Sequence, residues 1–169
     1  MKLARTIRFD PSDLNIFPVA ADEGEWALTG TFTFHHLTPE DITGKLRQAF
    51  ANGFLGISSF GYSTFVTVAS VSPADLAEIR QSLIDRFMRD FGAPSREAAG
   101  AAADEEIAFM ADLCRDHQKG TLLTVMRELA PDGIHEKFRH LPKAESCAEQ
   151  KIWTMIEDEN STSGEEQKP

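Results

Sequence analysis

The sequence predicts an α+β fold, an antiparallel or mixed sheet with three to four helices packed mainly on one face. Three observations lead there. Period-two segments read as half-buried strands. Two proline-started segments with nearby carboxylates read as helix beginnings. Strands and helices do not alternate regularly, as a doubly wound parallel sheet requires. With 169 residues, 41% apolar and 26% charged, the chain is expected to form one domain over residues 1–156 around one core.

Leu3, Arg5, Ile7 and Phe9 alternate with Ala4, Thr6 and Arg8, which predicts an opening strand ended by the turn Asp10-Pro11-Ser12-Asp13. Residues 15–20 are expected as an edge strand, because Pro18 cannot donate to a central ladder. Residues 25–35 read as a better strand on Trp26, Leu28, Thr31 and Phe32-Thr33-Phe34, with a bulge at Gly30. Thr38-Pro39-Glu40-Asp41 starts a helix: threonine caps free amides, proline fits the first helical position, and carboxylates favour the positive end of the dipole. It buries Ile42, Leu46, Ala49 and Phe50 and stops at Asn52-Gly53.

Residues 54–60 and 62–71 are β-rich runs about Gly61, read as a hairpin or one bent strand. Ser72-Pro73-Ala74-Asp75 opens a long amphipathic helix marked by Leu76, Ile79, Leu83, Phe87 and Phe91 and ended at Gly92. Alanine-rich residues 98–103, with Gly100, are expected as a loose helical start or short linker into a helix over 104–118 that Gly120 ends. Residues 121–129 read as a strand, Pro131-Asp132-Gly133 as a turn, 134–141 as a short helix and 152–156 as a last strand. Residues 157–169 carry five acids against Lys168 and are expected as a disordered acidic tail.

A net charge of −10 disfavours nucleic acid as a partner, although the tail supplies four of those charges. The basic N-terminus encloses no signal-peptide core, and no apolar run reaches the length of a membrane span. Two cysteines, Cys114 and Cys147, are too few for a disulfide framework, so a cytoplasmic location with no membrane association is expected.

The segment 105–117 is the most suggestive for chemistry. On a helix Glu106, Met110, Cys114 and His117 fall within about 80° of one another. Glu106 and His117 are nevertheless about 16 Å apart along the axis, which rules out a single metal shell. Cys114 and His117, one turn apart, could supply half of a tetrahedral site completed by Cys147 or another histidine. The plainer reading is core: Phe109, Met110 and Leu113 share that face, where a free cysteine packs as a small hydrophobe.

Glu106 lies in the apolar arc and cannot be buried alone, so it sits at a rim, pairs with a cation such as Arg80, or lines a pocket. In the pocket reading Arg80, Glu106 and His117 bracket an extended anionic ligand. His35, His36, His135 and His140 read as surface residues, and the glycines around residues 53–61 precede strands rather than a phosphate-binding helix. No hydrolase motif surrounds Ser58, Ser59 or Ser63, and no cofactor is expected.

Thr43-Gly44-Lys45 through Gln48-Ala49-Phe50-Ala51-Asn52-Gly53, then Ser59-Phe60-Gly61 and Thr64-Phe65-Val66, with residues 105–117 and 120–129, resemble a family of small uncharacterised bacterial proteins over residues 1–140. The resemblance implies class membership and no catalytic positions. Without a catalytic constellation, the expectation is a non-enzymatic binding or accessory domain, a homodimer acting through protein contacts, with Trp26 and Trp153 as candidate interface aromatics.

Overall fold

Lys2–Ile7 forms the first strand, β1, as its alternation predicts, in a computed structural model that describes residues 1–142. Ser12–Ile16 (α1) then turns the chain, and Trp26–Leu28 (β2) returns antiparallel to β1. Gly44–Asn52 (α2) leads into Phe54–Gly56 (β3), followed by Tyr62–Ser63 (β4) and Phe65–Ser70 (β5). Two long helices, Pro73–Asp90 (α3) and Arg96–Cys114 (α4), precede the hairpin of Leu122–Ala130 (β6) and Gly133–Leu141 (β7). Among the described residues seven strands join one sheet in the order β4-β3-β2-β1-β5-β6-β7, and each of these strand pairings is antiparallel. The α+β class is therefore correct, with the sheet antiparallel rather than mixed.

β1 lies at the centre of the sheet, between β2 and β5, and its own adjacent residues Leu3 and Ala4 are both fully buried. α4 crosses β1 and β2, while α3 packs along α4. The main core combines Val66, Val68, Leu123 and Val125 of the sheet with Ile79, Leu83 and Phe87 of α3 and Ala103, Ile107 and Met110 of α4. A smaller cluster of Phe17, Phe34, Ala49 and Phe50 sits beneath α1 and α2. The sheet curls enough that Phe138 of β7 meets Phe54 of β3, with ring centroids 6.3 Å apart.

Several elements differ from the sequence reading. The expected edge strand over 15–20 begins inside α1. Only its end runs beside β4, where Tyr62 donates its N–H to Val19 O and Ala20 bridges Tyr62. The expected strand over 25–35 stops at Leu28. Gly30 takes φ +77° and starts a single 3₁₀ turn, Thr31–Phe34. That turn lets two β-prone phenylalanines serve different cores: Phe32 meets Phe87 edge-on, and Phe34 meets Phe50. A strand would have sent both to one face.

The helix expected from Thr38 begins at Gly44 instead. The Asp41 carboxylate accepts from the Thr38 N–H and hydroxyl at 2.8 and 2.9 Å, closing a turn rather than capping a helix. The proposed linker over 98–103 lies inside α4, which Ser95 caps by accepting from the Ala98 N–H at 3.0 Å. Its small residues admit close helix packing: a Cβ on Gly100 would stand 2.8 Å from Arg80 Nη2. The same helix ends at Cys114, short of the expected 118.

Residues 134–141, expected as a short helix, form β7. Ile134, Phe138 and Leu141 fit a helical spacing, but Leu129–Ile134 and Val125–Phe138 pairings across a nine-residue ladder override that local preference. The hairpin expected over 54–71 is split: β3 pairs β4, while β5 crosses to β1. The last strand expected over 152–156 and the acidic tail lie outside the described residues, as do Cys147 and Trp153.

Candidate functional site

β6 carries an arginine where its alternation leads one to expect an apolar residue. Leu123 and Val125 share its side of the strand, and Arg127 is 4% exposed. A buried cation persists only with partners, and each guanidinium nitrogen has them. Nη1 donates to Phe50 O at 3.0 Å and Gly53 O at 2.9 Å, at the C-terminal end of α2, where helix carbonyls lack internal donors. Nη2 donates to Thr29 O. Nε is shared between Thr31 Oγ1 and Glu136 Oε2, each at 3.0 Å, and the Thr31 hydroxyl donates to the same glutamate oxygen. Burial pulls the guanidinium below its usual range while Glu136 opposes that shift. Arg127 thus uses its donors to brace the 3₁₀ turn, α2 and β7 together.

Two further buried carboxylates act in the same internal way. Glu25 accepts from the Asp22 N–H, the Ser59 N–H and the Ser59 hydroxyl, and Asp13 accepts from the Thr64 N–H and hydroxyl. Glu25 joins two loops, and Asp13 ties α1 to the junction between β4 and β5. None of the three buried groups was singled out from sequence. Arg127 had a legible signal in its strand parity, whereas Glu136 could be found only once 134–141 was known to be a strand.

The residues that sequence reasoning did single out each meet a different neighbour. Arg80 engages Asp104, with Nε–Oδ1 at 2.6 Å and Nη2–Oδ2 at 3.1 Å on an exposed surface, and this pairing holds the Asp104 carboxyl below its usual range. Glu106 is affected instead by Glu136. Burial first, then repulsion from Glu136 and Glu105, pushes its carboxyl up to about 7. His117 lies beyond the end of α4, its ring 4.6 Å from that of His140, and its carbonyl accepts from Lys2 Nζ at 2.6 Å. Cys114 is fully buried, and burial raises its thiol to about 12 against the pull of Lys2. That position suits a packed, protonated thiol. Among the described residues, no group of three or more His, Cys, Asp or Glu is placed to hold a metal ion.

The outer side of the β6–β7 ladder has a different character. Thr124, Met126 and Glu128 stand opposite Arg139, Lys137 and His135. A groove of about 510 Å³ lies over this region, lined by Met126, Glu128, His135, Glu136, Lys137 and Arg139. Met126, one of its lining residues, is 49% exposed, and His135 Nε2 is held 2.9 Å from Asp132 Oδ1. A smaller hollow of about 220 Å³ beside Ser58, Ser82 and Arg86 has its charges neutralised locally, since Arg86 and Arg89 bond Asp90 and Asp85 bonds Arg96. Of these two hollows, the groove on the hairpin has the larger volume and the exposed apolar residue.

No curated protein and no solved structure matches the chain. A family model does match, over residues 1–157, so nearly the full length is accounted for: the chain belongs to the family of unknown function DUF6505.

Proposed function

We propose that this is a bacterial, cytoplasmic, non-enzymatic accessory protein that works by binding another protein through its β6–β7 hairpin. The supporting observation is the combination of a long edge strand with a groove. Among the described residues β7 ends the sheet order and runs for nine residues, and exposed Met126 of β6 lies opposite Lys137 and between the rows of His135 and Arg139. Exposed apolar residues ringed by charge are characteristic of contact surfaces. Arg127 anchors the hairpin from beneath, so the surface is preorganised and little ordering is needed on binding.

Self-association is part of the expectation, but not through this edge. Pairing β7 with a second β7 about a central Lys137 sets lysine against lysine and His135 against Arg139. The reading is tested by placing a photocrosslinking amino acid at position 137 and, separately, at exposed position 78 in the full chain within cells. An adduct formed from position 137 alone, and lost on Met126→Asp, supports the hairpin as the contact surface. Equal adducts from both positions refute it. Light scattering across a concentration series reads the homodimer independently.

A further inference from the structure

We infer that the surface around α1, separate from the hairpin, is a second contact site and takes a basic amphipathic segment of a partner protein. Phe9, Leu14 and Val19 are 58%, 55% and 53% exposed, more than any other large apolar side chain among the described residues except Met1. All three are attached to one short stretch at the β4 end of the sheet. The Phe9 ring meets that of Phe65 edge-on, with centroids 5.2 Å apart. Asp13, beside Leu14, accepts from the Thr64 N–H and hydroxyl, and Val19 O accepts from the Tyr62 N–H at 2.8 Å. Tyr62, Thr64 and Phe65 lie within four residues, so the three exposed side chains sit around the junction of β4 and β5. Single exposed apolar residues need no explanation, but three about one junction mark a contact surface. The bonds to that junction hold the segment in place beforehand, which lowers the ordering cost of binding.

Charge decides the occupant. Residues 9–44 contain seven acids and neither lysine nor arginine. Asp13 and Glu25 are buried and bonded internally. Asp10 directly follows Phe9, and Asp22 and Glu23 lie just beyond Val19; all three are exposed, and none forms an ion pair among the described residues. The cations next along the chain are turned to the backbone instead, Arg8 donating to Ala21 O and Arg5 to Gly24 O. Apolar side chains edged by unpaired carboxylates favour a segment that brings apolar anchors with lysine or arginine beside them, and they repel an acidic one. The same charge disfavours a second copy pairing through this surface, acid against acid, and disfavours the acidic residues 157–169 of the chain itself.

The test titrates the isotopically labelled full chain with a blocked amphipathic peptide of about fourteen residues, leucines at helical spacing and lysines elsewhere. Versions with glutamate for lysine and with serine for leucine serve as controls. Expected are amide shifts confined to residues 9–23 and 62–65, and binding about tenfold weaker for Leu14→Ser and for Asp22→Lys. Raising the salt should also weaken binding. Thermal melts confirm that both variants, altered at exposed positions, fold. Equal binding of the glutamate peptide overturns the basic preference, and equal binding of the serine peptide overturns the apolar anchoring. Shifts centred elsewhere, or none, overturn the site. A photocrosslinking amino acid at position 14 of the purified full chain should form no adduct with the protein itself. An adduct to residues 143–169, or between two copies, overturns the partner by showing the surface already covered. None of these results bears on position 137, whose crosslink tests the hairpin separately.

Discussion

Arg127 and Glu136 face each other across the β6–β7 ladder, and their side chains meet at 3.0 Å with the arginine's fully buried and the glutamate's 18% exposed. The pair is the junction between the hairpin and the rest of the molecule. Removing the cation leaves α2 carbonyls without a donor and the Glu136 carboxylate without its counter-charge. Arg127→Ala should therefore lose about 3–5 kcal/mol of stability in urea unfolding. Arg127→Lys should recover only part of it, because one ammonium cannot reach Thr29, Phe50, Gly53 and Glu136 together. A loss under about 1 kcal/mol for both would contradict the bracing role.

Glu106 gives the fold a specific pH dependence. Its carboxyl titrates near 7 in the folded chain against an ordinary 4.5, so between those values the folded state holds a proton that the unfolded state has released. Stability therefore falls as pH rises through that window, by at most about 3 kcal/mol. Glu106→Gln should match the parent near pH 4.5 and exceed it in stability at pH 8. Parallel unfolding curves for the two proteins at pH 4.5, 6 and 8 measure the difference, and a constant gap would contradict the assignment.

Gly30 is constrained twice, by φ +77° and by a would-be Cβ only 2.4 Å from Leu55 Cβ. Gly24 shares the left-handed backbone, at φ +84°, but has open space around it. Gly24→Ala should cost about 1 kcal/mol, from backbone strain alone. Gly30→Ala should cost roughly 2–4 kcal/mol, because overpacking adds to the strain. Equal costs in thermal or urea unfolding would show that Leu55 yields without penalty.

Cys114 should behave as a buried thiol. In a Cys147→Ser background, a disulfide reagent at pH 8 should leave Cys114 unmodified in the native protein and label it stoichiometrically once urea unfolds the chain. Rapid native labelling would place the sulfur nearer solvent than the packing around Met110 and Cys114 allows.

Where local chemistry acts alone, the sequence was readable. β1 followed from its period-two sequence, although Leu3 and Ala4 are both buried and Phe9 is exposed, and α3 followed from Ser72, whose hydroxyl accepts from the Asp75 N–H at 3.0 Å. The misreadings occurred where a distant partner decides. Thr38 and Asp41 have the composition of a helix start, yet they bond each other. Residues 134–141 suit either periodicity until β6 selects the strand. The candidate-site residues show the same division. Burial of Cys114 was legible from its apolar neighbours. Glu106's relation to Glu136 was not, because it depends on a pairing between segments thirty positions apart in a strand first read as a helix.

The brace at Arg127 also constrains the order in which the chain can assemble. Its hairpin closes over a two-residue turn, a microsecond-scale local event. Its partners at Thr29 and Gly53 lie 98 and 74 positions earlier in the chain. During synthesis the first third of the protein must therefore wait, its helix end uncapped and its 3₁₀ turn unsupported, until residue 127 has left the ribosome. Closure is then a long-range docking step of the kind that sets slow folding rates.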